Sequence, residues 1–127
     1  MTSPASATPS DPTAPLVMTE WKLIATVTDG VSNTVPATSG ATLAFGSGVP
    51  KAFVNTGCNV GSGAVETGDT VITFGPMAIT RRACADEAGN VLEARILATL
   101  NGQVGYQIVG KRLTLTKGST SLVYQGP

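Results

Sequence analysis

The chain contains no histidine, and charged residues make up only 13% of its 127 positions. Without histidine there is no imidazole base, no Cys–His or Ser–His nucleophile pair and no imidazole metal ligand. Charge is sparse, about half of a globular average near 25%, and it is balanced: eight basic and eight acidic residues give a formal net charge of zero. That excludes an electrostatic footprint for nucleic acid or for an anionic lipid surface. Long apolar runs are missing too, and nothing approaches the ~20 residues that span a bilayer. There are only two cysteines, Cys58 and Cys84, with no CxxC between them and no histidine beside them, so a zinc site is not expected. The pair is either a disulfide or two free thiols, and in an exported domain the disulfide is the expectation. Its loop closure would contribute about 3.5 kcal/mol.

The acidic residues do not assemble a catalytic pair. Asp86 and Glu87 are adjacent, so their side chains diverge, and Glu66 and Asp69 bracket a turn. Serine and threonine are plentiful, but without histidine they need a lysine partner. Lys22, Lys51, Lys111 and Lys117 stand in strand-edge or turn contexts typical of solubilising charge. The expectation is a protein that is not an enzyme, with no catalytic residue, no metal and no cofactor.

What is present divides the chain in two. Residues 1–15 are dominated by Pro, Ser, Thr and Ala, with Asp11 as their single charge. Such a stretch buries too little surface to offset its ordering entropy and reads as a disordered tether. Met1 leads straight into this polar sequence rather than into a signal peptide. The reading is that a leader has been removed, leaving a spacer below a lipid anchor; the alternative is the ragged terminus of a secreted protein. From Leu16 onward the composition is that of one folded domain, residues 16–127.

Within it, short strand signals recur. Trp21, Leu23, Ala25 and Val27 alternate with Lys22, Ile24 and Thr26, which predicts a first strand with Trp21 buried. Further strands are expected at Thr42–Phe45, Ala52–Asn55, around Val65, Thr70–Phe74, Val104–Val109, Arg112–Thr116 and Ser121–Gln125. Glycine-containing turns such as Asp29-Gly30, Gly68-Asp69, Gly110 and Gly118 separate many of them. The last pair forms a hairpin with Leu113, Leu115, Leu122 and Tyr124 on one face. Residues 29–40 read as a long loop. Leu92, Ile96 and Leu100 fall at four-residue intervals behind Asn90 and Glu93, a capping-box spacing, so one helix is expected near 91–100. The fold class is mainly β (α+β): an antiparallel curled sheet or cracked barrel of about seven or eight strands with one capping helix.

The ordered motifs Gly57-Cys58-Asn59 followed by Gly63, then Phe74-Gly75-Pro76-Met77-Ala78, then Thr80-Arg81-Arg82-Ala83-Cys84, then Glu93 ahead of Ile96 and Leu100, resemble the META domain, the HslJ-like family of bacterial heat-shock proteins. The resemblance runs through most of the folded part. It implies a mostly antiparallel sheet capped by a helix, a place in the bacterial cell envelope, often on lipoproteins, and links to stress and antibiotic tolerance. It implies no enzymatic activity. The stretch Ala52–Thr56 replaces a glycine-rich approach to the first motif, and the tether and the 29–40 loop are this chain's own.

Three readings of function follow. The first is a non-catalytic envelope module, expected to be monomeric, that binds an envelope protein through its surface, with Arg81 and Arg82 as the candidate patch. The second is a carrier for a lipid or small apolar ligand, its cavity lined by Phe45, Phe74, Ile96 and Leu100 out of an apolar set that also holds Trp21, Phe53 and Tyr106. The third is a secreted inhibitor that presents residues 31–39. The motif residues Gly57, Asn59, Gly63, Gly75, Met77, Thr80, Arg81 and Glu93 read as structural, with Gly57 and Asn59 expected to supply positive-φ turn positions beside a disulfide.

Overall fold

The structure is a computed structural model, and it describes residues 15–17, 19–46 and 48–127. The expected tether, residues 1–15, falls outside the described residues except for Pro15. The described residues form strands β1 (Trp21–Thr28), β2 (Val31–Thr34), β3 (Thr42–Phe45), β4 (Lys51–Asn55), β5 (Val60–Thr67) and β6 (Val71–Ile79). They continue as helix α1 (Glu87–Thr99) and strands β7 (Gly102–Val109), β8 (Arg112–Lys117) and β9 (Thr120–Gln125).

Every strand pairing is antiparallel. The order β1-β3-β4-β5-β6-β7-β8-β9 returns to β1 through the β1–β9 pairing, closing an eight-stranded barrel with β2 as an extra strand. Closure removes the two edges that an open sheet would expose. One edge of β1 serves two partners. Its first residues pair with β3, and its second half, Ala25–Thr28, pairs with β2.

Two irregularities bend the sheet into a barrel. The β1–β9 register shifts between Leu23 and Ala25. The simple alternation expected along β1 therefore breaks: Trp21 and Leu23 face the core, and Thr26, not Ala25 or Val27, is the next buried residue. The second shift sets Ala64 of β5 opposite Gly75 and Pro76 of β6. A proline has no N–H for a ladder and belongs at a bulge. This bulge lets β6 run on to Ile79, five residues past the expected strand. Gly63 beside it cannot carry a side chain, since a Cβ there would lie 2.7 Å from the Pro76 carbonyl oxygen.

The interior is one continuous cluster. Trp21, Leu43, Ile72, Ile96, Val104, Leu113, Leu115, Leu122 and Tyr124 are wholly buried within it. The expected inward face of the last hairpin is thus observed residue for residue. Trp21 also anchors the chain entry, its indole Nε1 donating to the Leu16 carbonyl at 3.0 Å. Helix α1 packs on β8 and β9, with Ile96 and Leu100 in the core.

Three expectations are corrected. The helix begins at Glu87 with Asp86 as its cap, the Asp86 carboxylate accepting from the Gly89 N–H at 2.8 Å. Asn90 lies inside it, and Glu93 is not a capping-box partner. Gly89 stands in the first turn, where its missing side chain leaves room for the cysteines: a Cβ on it would lie 3.2 Å from the Cys84 Cβ. Second, the 29–40 loop holds β2 and a 3-10 turn at Ala37–Ser39, since Asp29 and Gly30 adopt the left-handed conformations of a tight hairpin. β2 was missed because its four residues are all exposed and show no alternation. Third, Phe53 points outward, 45% exposed, because it alternates with Ala52 and Val54, which face in.

Candidate functional site

Three of the four sequence motifs converge at one end of the barrel. Thr56-Gly57-Cys58-Asn59 is the tight turn between β4 and β5. Thr56 N–H donates to the Asn59 carbonyl at 2.9 Å, and the Thr56 hydroxyl accepts from the backbone N–H of Cys58 and Asn59 at 3.2 and 3.0 Å. Gly57 has the expected positive φ of 95°, whereas Asn59 does not take one; a Cβ on Gly57 would strike the Ser39 carbonyl oxygen of the 3-10 turn. The Gly57 N–H also donates to the Asn55 side chain at 2.8 Å. A β-branched or bulky residue fits neither condition.

Asn59, 4% exposed, uses every hydrogen-bonding position its side chain has. Its Oδ1 accepts from the Arg82 N–H at 2.6 Å and from the Thr80 hydroxyl at 3.0 Å. Its Nδ2 donates to the Arg82 carbonyl at 3.0 Å and to Glu93 Oε2 at 2.7 Å. Thr80 Oγ1 in turn accepts from the Val60 N–H at 3.0 Å. The Thr56 hydroxyl donates to the same Glu93 oxygen at 2.7 Å. One side chain thus joins the β4–β5 turn, the segment after β6 and the helix. The Cys58–Cys84 disulfide, with Cα atoms 5.1 Å apart and 26 residues of separation, ties the β4–β5 turn covalently to the segment that leads into the helix.

The carboxylate of Glu93 is half-buried and satisfied by dipoles rather than by a cation. That is the arrangement in which a buried charge is tolerated. Its link to Thr56 and Asn59 was not foreseen. The available signal was a Thr-x-x-Asn turn together with a lone acid on the inner side of the only predicted helix.

Beside this node lies an open hollow of about 380 Å³ lined by Asn59, Ile79, Thr80, Arg81, Arg82, Glu93 and Leu97. Arg81 and Arg82 are both exposed there, and Asn59 clamps the Arg82 backbone on its N–H and its carbonyl. A second hollow of about 430 Å³ lies on the outer face of β3 to β6, with Phe53 and Val60 among its walls. Phe45, Phe74, Ile96 and Leu100, the expected cavity lining, line neither hollow. They belong to the buried cluster, with the two phenyl rings 6.3 Å apart and tilted. Gly75 and Met77 sit in the β5–β6 hairpin away from the node, Gly75 at the bulge.

A closed eight-stranded antiparallel barrel, capped by a helix that a disulfide and a buried Asn–Glu pair hold in place, defines the class of this protein. The chain belongs to the META domain family, whose model matches residues 14–126. The NMR structure of a protein from Burkholderia xenovorans is similar at 27% identity, covering 96% of this chain and 94% of that one with a TM-score of 0.72. A second NMR structure shares the fold at 23% identity and a TM-score of 0.69, covering 87% of this chain and 90% of its own. A comparison with curated proteins finds no match.

Proposed function

We propose that this chain is a non-catalytic module of the bacterial cell envelope that binds an envelope protein through the hollow at Arg81 and Arg82, in the service of stress or antibiotic tolerance. The observation that carries the reading is the saturation of the polar groups around that hollow. Asn59 makes four hydrogen bonds, Thr80 two and Glu93 Oε2 two, all within the fold. Groups so engaged are not poised for proton transfer or nucleophilic attack. What remains for a partner is a pair of exposed guanidiniums on a backbone held rigid by Asn59 and the disulfide, next to the apolar walls Ile79 and Leu97. An arginine pair on a held backbone at an apolar edge suits an acidic protein surface, because little loop ordering is needed on binding.

The test is site-specific photo-crosslinking in intact cells. A photoreactive residue replacing Arg81 should give a discrete protein adduct, whereas one replacing Glu66, at the far end of the β5–β6 hairpin, should not. Equal labelling at both places, or none at Arg81, would reject the surface. The carrier reading draws no support from the placement of Phe45, Phe74, Ile96 and Leu100. The inhibitor reading draws little from residues 31–39, where β2 is paired to β1 and Val35 is buried.

A further inference from the structure

The disulfide has a third neighbour. The two sulfurs and a carboxylate oxygen of Glu93 all lie within 4.8 Å of one another, and all three residues are half-buried. The carboxylate is divided between two tasks. Oε2 is pinned by the Thr56 hydroxyl and the Asn59 amide at 2.7 Å each, while Oε1 faces Cys84 Sγ at 3.9 Å. A ligating carboxylate held by outer hydrogen bonds on one oxygen and free on the other is the usual design of a metal ligand. Thr56 and Asn59 are themselves fixed by the turn and by the Arg82 backbone, so the free oxygen is aimed without help from the disulfide. The Gly89 carbonyl oxygen lies 3.9 Å from Cys58 Sγ.

We propose that Cys58, Cys84 and Glu93, once the disulfide is reduced, form a three-ligand site for one thiophilic divalent cation, Zn²⁺ or Cd²⁺. Reduction adds two electrons and two protons to the S–S bond, and the dithiol that supplies them is oxidised to its own disulfide. The cation then displaces both thiol protons and binds two thiolates and one carboxylate. Two Zn–S bonds of about 2.3 Å at a tetrahedral angle need the sulfurs about 3.8 Å apart. With the Cα atoms at 5.1 Å, side-chain rotation alone supplies that separation. The fourth position stays open. The β4–β5 turn is then tied to the segment entering the helix in either redox state, by the Cys58–Cys84 bond under oxidising conditions and, with Glu93 added, by a metal under reducing ones. The inference is independent of the arginine surface.

The test uses the whole folded chain and Cd²⁺ as the probe, read by the thiolate-to-cadmium charge-transfer absorbance, with circular dichroism to follow the fold. The reduced protein should take up one equivalent and the oxidised protein none. Glu93→Gln keeps an acceptor for Thr56 and Asn59 and should weaken uptake at least about tenfold with an unchanged spectrum. Uptake by the reduced protein that is indifferent to Glu93→Gln, uptake no tighter than that of the chain in denaturant, equal uptake when oxidised, or loss of the fold on reduction would each overturn the proposal.

Discussion

Replacing Asn59 with aspartate is the sharpest probe of the node, because it changes neither volume nor shape. Asn59 Nδ2 donates to the Arg82 carbonyl at 3.0 Å and to Glu93 Oε2 at 2.7 Å. In Asn59→Asp an oxygen takes that place and faces two others. One lost neutral bond is worth about 1 kcal/mol and one lost bond to a charged group about 1.5–3 kcal/mol, so the loss is about 3 kcal/mol before any repulsion. Against a typical domain stability of roughly 5–15 kcal/mol this is severe. The new carboxyl beside Glu93 has its folded-state pKa raised by the like charge. A carboxyl whose folded pKa is raised holds its proton better in the fold, so the penalty is smallest below the unfolded value of about 4 and grows as pH rises through the folded one. Urea unfolding followed by the fluorescence of the single, fully buried Trp21 measures this directly at several pH values. Asn59→Asp combined with Glu93→Gln should recover more than half of the loss at neutral pH. A deficit under about 1 kcal/mol, or one independent of pH, would show that Asn59 does not make these bonds.

Four further outcomes are expected. Cys58→Ser should cost about 3.5 kcal/mol against the oxidised wild type by loop-closure entropy, and nothing when both are compared in reductant; an equal loss in both conditions would discount the disulfide. Tyr124→Phe removes a buried hydroxyl that has no hydrogen-bond partner among the described residues, so stability at neutral pH should hold or rise by about 1 kcal/mol in chemical denaturation. Burial pushes the Tyr124 phenol above its ordinary value, so wild-type stability is lost as pH climbs past about 10, by up to about 1.4 kcal/mol per unit, and Tyr124→Phe should flatten that slope. Gly57→Ala needs both a φ that alanine avoids and the space of the Ser39 carbonyl; a loss above about 2 kcal/mol in thermal unfolding is expected, and a neutral result would contradict the turn geometry. Ile96→Ala empties a wholly buried site beneath the helix and should cost about 2–5 kcal/mol by the same assay.

Much of the architecture was legible from local pattern. β3 falls on its predicted bounds, and β4, β7, β8 and β9 depart from theirs by one or two residues, since alternating apolar residues between glycine turns leave little freedom of register. The misses have separate causes. β2 has no buried residue, so nothing in its composition marks it, and it is held by pairing to β1 alone. The helix starts earlier than the Asn90–Glu93 spacing predicts because Asp86, not Asn90, supplies the cap. Phe53 was assigned to the core by its type, but its parity along β4 puts it outside.

The candidate site divides along the same line. Composition alone removed imidazole chemistry and a charged nucleic-acid surface, and it limited the cysteines to a bond or two thiols, because such statements depend on which groups exist and not on where they are. The META motifs could be found as words in order, yet nothing in their spacing says that Asn59 spends all four of its hydrogen bonds on residues 21, 23 and 34 positions away. That choice belongs to the closed barrel. Closure brings the β4–β5 turn, the segment after β6 and the helix to one end, and burial there obliges each polar group to find a partner. Only then does Glu93 turn to Thr56 and Asn59, and only then do Arg81 and Arg82 stand exposed beside that node.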